Sequence, residues 1–70
     1  MLVMNANTEV ILNILKVLNA DYPNGFPSME IYRMAEAKGM DIEDAADEVY
    51  KLVYDTRTIK THKHRIYTLA

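Results

Sequence analysis

The chain contains no cysteine, so neither a disulfide framework nor a thiolate metal site can hold its 70 residues together, and packing must do so alone. That suits an intracellular protein. Tryptophan is absent, phenylalanine occurs once, and glycine and proline occur twice each. No apolar run approaches the roughly 18 residues a membrane span needs. The apolar start MLVM is too short for a signal-peptide core and has no basic residue ahead of it. The expectation is a soluble, unprocessed, cytoplasmic chain with no membrane partner. The last absence is local: residues 57–70, RTIKTHKHRIYTLA, contain no Asp or Glu.

What is there is charge of both signs, kept apart. All ten carboxylates lie upstream of residue 57, whereas Arg57, Lys60, Lys63 and Arg65 make up half of the eight Lys and Arg residues. The net charge of −2 therefore divides into −6 over residues 1–56, with four basic against ten acidic groups, and +4 over residues 57–70. Half the residues are apolar, which fits a folded chain, and 70 residues fit a single domain. Residues 1–7 are expected to be a disordered N-terminal segment and 8–70 the domain.

Apolar spacing predicts three helices. In residues 8–20, Val10, Ile11, Ile14, Leu15 and Leu18 recur at i, i+3, i+4 and i+7, with Asn7 or Thr8 placed to cap. Pro23 and the Asn24-Gly25 pair stop this helix and begin a connector that is expected to expose Phe26. A second helix follows over SMEIYRMAEAKG, with Ser28 as cap, Ile31, Met34 and Ala35 as its buried stripe, and Gly39 as the left-handed residue after its end. A third runs from a cap at Asp41 through Asp55, turning Ile42, Ala45, Val49, Leu52 and Val53 inward. The period then changes to two. Ile59 opens one β-like run, THKHR interrupts it, and IYTL forms a second, giving a terminal hairpin. Ile14, Leu18, Ile31, Ala35, Val49, Leu52, Ile59 and Ile66 are expected to share one core.

Three helices followed by a two-stranded C-terminal hairpin is the order of a winged helix-turn-helix, an α+β fold whose hairpin is the wing. A narrower resemblance rests on GFPSMEIYRMAEAKGM. Its Gly25, Phe26, Pro27, Ile31, Ala35, Gly39 and Met40, followed by Lys51-Leu52 and Ile59, are similar to the pattern of the C-terminal winged-helix domain of archaeal minichromosome maintenance (MCM) replicative helicases. The similarity spans residues 8–69. It implies a non-catalytic accessory or regulatory module in DNA replication or transcription, either excised from a larger helicase or free-standing.

In most helix-turn-helix proteins the second helix of the motif enters the major groove and carries Arg, Lys, Asn or Gln outward. Here that face holds Glu43, Asp44, Asp47, Lys51, Tyr54 and Asp55, and its carboxylates would repel phosphates. The basic hairpin differs. Arg57, Lys60, His62, Lys63, His64 and Arg65, with Lys51 nearby in sequence, are the candidate nucleic-acid-binding residues, because exposed cations reach a phosphate backbone without burial. Such contact to DNA, duplex or single strand, would be weak, salt-dependent and stronger as falling pH charges the imidazoles. The alternative is a docking domain that offers Glu43, Asp44, Asp47, Tyr54 and Asp55 to a basic protein surface.

The remaining constellations carry less. His62 and His64 have the spacing of two ligands on one strand face, but a structural zinc site takes four, so no metal site is expected. The five tyrosines are expected to close the rim of a small core rather than to stack on bases. There is no glycine-rich phosphate loop, no nucleophile with a base at readable spacing and no metal motif, so neither catalysis, a cofactor nor a small-molecule substrate is expected.

Overall fold

Residues 6–70 are described by a computed structural model, and the first helix in them, α1 (Ala6–Asp21), buries Ile11, Ile14, Leu15 and Leu18 along one stripe. It begins ahead of the expected cap. Ala6 and Asn7 form its first turn and are not a disordered tail; the rest of that expected segment, residues 1–5, lies outside the described residues. Thr8 does not act as the cap but donates from Oγ1 to Glu48 Oε2 at 2.7 Å, tying α1 to the third helix. The helix stops where expected. The Tyr22 N–H still reaches the Leu18 carbonyl at 2.8 Å, and the Gly25 N–H closes a turn onto the Tyr22 carbonyl at 3.1 Å.

The connector holds the first correction. Phe26 and Pro27 form a strand, β1, and Phe26 is fully buried rather than exposed. Gly25 makes this approach possible: its φ is +130°, and a Cβ there would lie 2.6 Å from Ile66 Cγ2. The chain then enters α2 (Ser28–Ala37), with Pro27 at the cap position and Ser28, itself buried, as the first helical residue; no side chain caps it. Its end matches the sequence. Gly39 takes φ +87°, its N–H bonds the Glu36 carbonyl at 2.9 Å, and the Met40 N–H bonds the Ala35 carbonyl at 3.0 Å. This is a Schellman closure, in which Met40 folds back into the core beside Ala35.

Asp41 occupies the cap position of α3 (Ile42–Tyr50), again without a side-chain cap bond, while Glu43 and Asp44 in the first turn complement the helix dipole. Ala45, Val49 and Leu52 face inward as expected, but Ile42 does not, being 52% exposed. Only the helix's first residue, it projects beyond the stripe that α1 and α2 cover. The helix continues over Lys51–Asp55 as one π-helical turn, closed by the Thr56 N–H on the Lys51 carbonyl at 3.0 Å. The wider turn carries Tyr54 and Asp55 to the surface.

Strands β2 (Ile59–His62) and β3 (Ile66–Leu69) form the hairpin, and β3 also pairs with β1. The sheet is thus antiparallel with three strands in the order β1-β3-β2, one more than expected. Phe26 opposes Tyr67, Thr61 opposes Tyr67, and Ile59 opposes Leu69, so these residues share the inner face. Lys60, His62, Ile66 and Thr68 share the outer one. Ile66 is therefore only half-buried and outside the core, a correction that follows from the register: with period two, only Tyr67 and Leu69 of β3 can point inward. The other seven expected core residues are buried together, joined by Ile11, Leu15, Phe26, Met40 and Ala45. Among the described residues no helix is long and apolar enough to cross a membrane.

Glu48 is the one buried carboxylate among the described residues, 5% exposed, accepting from Thr8 and lying 3.7 Å from Lys51 Nζ. Replacing Glu48 with Ala is expected to lower stability by about 1–3 kcal/mol, since it takes the charged acceptor from the part-buried Thr8 hydroxyl, while Lys51, more than half exposed, stays hydrated. Urea unfolding measures this. An unchanged midpoint would show that the Thr8–Glu48 link does not brace α1 on α3.

Candidate functional site

The hairpin presents its cations on three parts of one surface. Lys60 and His62 project from the outer face of β2, and His62 Nε2 shares a hydrogen bond with Thr68 Oγ1 across the ladder at 2.8 Å. Lys63, His64 and Arg65 form the tip, a tight turn in which His64 and Arg65 are left-handed. Arg57 precedes β2. All six are exposed. The strand ends at His62, and His64 turns away from it with φ 63°, so the two imidazoles do not share a strand face as their spacing implied. Among the described residues no group of three or more His, Asp or Glu side chains could hold a metal ion.

These cations have two features, the first of which they share with Lys16 and Lys38. The ion pairs among the described residues join Arg33 to Glu30 at 3.3 Å and Lys51 to Glu48 at 3.7 Å; Arg57, Lys60, Lys63 and Arg65 pair with no carboxylate there. Moreover, the only non-glycine residues with positive φ among the described residues are Arg57 (56°), His64 (63°) and Arg65 (58°), all basic. A side chain in this left-handed region costs about 1–2 kcal/mol relative to the right-handed one, a cost glycine avoids. Lys51 stands apart from this set, at the end of α3 and engaged by Glu48.

Beside the outer sheet face lies a broad depression of about 840 Å³, lined by Asn24, Thr61, His62, Lys63, Ile66 and Thr68. It is open and shallow. No family model, curated protein or solved structure matches the chain. The site's chemistry is that of exposed cations on a short sheet and its tip.

The acidic candidates form a separate surface. Glu43, Asp44 and Asp47 are exposed on α3, as the helical spacing required, and Tyr54 and Asp55 on the π turn after it. Sequence reasoning missed a third feature. Tyr32 and Tyr67 are half-buried against the core rim, as expected, but Tyr50 and Tyr54 are 61% and 63% exposed, with ring centroids 4.7 Å apart. Their i, i+4 spacing was the available signal.

Proposed function

We propose that the chain is a non-catalytic winged helix-turn-helix module that binds DNA through its hairpin, the wing, contacting phosphates with Arg57, Lys60, Lys63 and Arg65. The observation that carries this reading is the set of unpaired cations on an exposed ridge, beside a body whose charge is opposite. A phosphate backbone supplies the missing anions, and contact at the surface spares these cations desolvation. Basic side chains at left-handed positions, where glycine would relieve strain, add support, because strain retained at such positions points to use of the side chain.

The helicase-like pattern supports the fold more than the partner. Gly25, Phe26, Ile31, Ala35, Gly39 and Met40 serve the close β1 approach, the core and the α2 closure. An accessory role in a replicative helicase belongs to the proposal on that footing. The second reading, docking onto a basic protein, is favoured by one observation, the exposed carboxylates of α3.

Neutralising that face separates the two. With Glu43→Gln, Asp44→Asn and Asp47→Asn combined, duplex DNA binding should strengthen, most at low salt where screening is weak, because repulsion near the wing is removed. Stability should fall only slightly, by about 0.3–1 kcal/mol for each first-turn acid replaced. Fluorescence anisotropy with a short labelled duplex reads the affinity. No strengthening, together with a weakened complex with a basic protein surface, would favour docking.

A further inference from the structure

A groove lined by tyrosines runs between α2, α3 and the inner side of the hairpin. Its smaller part, about 150 Å³, is lined by Tyr32, Tyr50, Val53, Tyr54 and Tyr67, among others. It shares Val53, Tyr54 and Thr61 with a neighbouring groove of about 440 Å³ along the free edge of β2, where Arg57 and Lys60 enter the lining. The two adjoin at the shared residues as a trough that is aromatic at one end and bordered, at the β2 edge, by Arg57 and by Lys60, whose side chain the register places on the outer face. No carboxylate lines either part, although α3 carries several close by.

We infer that this trough binds single-stranded DNA, with bases stacking on Tyr50 and Tyr54 and the phosphate backbone running past Arg57 and Lys60. This deepens the DNA-binding reading and rests on it. Two exposed rings on one helix give bases flat apolar faces, and adjacent cations take the phosphates; these are the two parts of a single-strand site. A duplex cannot use the rings, because its bases are already stacked on one another. The phenol of Tyr32 stays protonated well above neutral pH, since burial and then the neighbouring Tyr67 raise its pKa. It can therefore donate a hydrogen bond to a base edge from the groove wall. Charge selects nucleic acid over a basic peptide, because the lining cations would repel the latter.

The test uses the whole chain, with a short oligo(dT) and a short duplex as probes at low salt. Because the chain has no tryptophan, its intrinsic emission comes from tyrosine, and oligo(dT) should quench it. Replacing Tyr50 and Tyr54 with Leu should weaken oligo(dT) binding about 5- to 150-fold for each base that no longer stacks and leave duplex affinity unchanged. Both positions are largely exposed, so circular dichroism should show the fold intact. Unchanged oligo(dT) affinity in the Tyr50→Leu, Tyr54→Leu variant would overturn the inference, as would a parent that binds duplex but not oligo(dT). A parent that binds oligo(dT) through these tyrosines but ignores duplex would uphold the trough and remove the wing. Binding of neither DNA, with tyrosine resonances moved instead by an acidic peptide, would assign the trough to a protein partner.

Discussion

Replacing Phe26 with Ala is expected to lower the unfolding free energy by ~3–5 kcal/mol, the range for emptying a large buried aromatic site. Against a total on the order of 3.5–10 kcal/mol for a domain of this length, much of the population would unfold near physiological temperature. The effect has two sources. Phe26 is fully buried among residues of all three helices, so its removal leaves a cavity that backbone on several sides must collapse to fill. It also anchors β1, which is two residues long and pairs with β3 only at Phe26–Tyr67 and Pro27–Ile66. Phe26→Leu, which keeps most of the volume, should cost much less. Urea melts of both variants measure the difference. A Phe26→Ala melt that overlays the parent would mean that the connector is not part of the core.

The second large effect concerns binding. Lys60→Ala, Lys63→Ala and Arg65→Ala together should weaken DNA binding about uniformly across sequences and reduce the slope of log affinity against log salt by ~1 for each phosphate no longer neutralised. The slope is the sharper readout, since it counts released counterions and is insensitive to base identity. Thermal stability should hold, because exposed hairpin charges contribute little to folding. Affinity and slope that both match the parent would take the wing out of DNA binding.

The helices were legible because burial on one side imposes a period that survives in the residues themselves: Ile11, Ile14, Leu15 and Leu18 in α1, and Ala45, Val49 and Leu52 in α3. Glu48 falls on the same stripe, three residues after Ala45 and four before Leu52, where an apolar period does not mark a carboxylate. The Thr8 hydroxyl, forty residues away in sequence, and the Lys51 ammonium one turn on help to accommodate a carboxylate there. β1 was illegible because two residues carry no period. Its existence depends on the long-range pairing of Phe26 with Tyr67, and that register also decides that Tyr67 faces in while Ile66 faces out. Of the candidate site, the cations and their lack of nearby acids could be read directly. The left-handed backbone at Arg57, His64 and Arg65 could not, since arginine does not favour that region and a single histidine is a weak signal for it. Nor could the tyrosine trough, which is assembled from α2, α3 and the hairpin.

The most direct test of the wing as a DNA-binding surface is an NMR titration of the isotope-labelled chain with a short duplex at low salt, following every backbone amide. Phosphate contact through the hairpin predicts fast-exchange shifts concentrated in residues 57–67 that recede as salt is added, with the amides around Glu43, Asp44 and Asp47 left in place. A spectrum that does not move, or one that moves at the acidic face of α3 while the hairpin stays still, would contradict it.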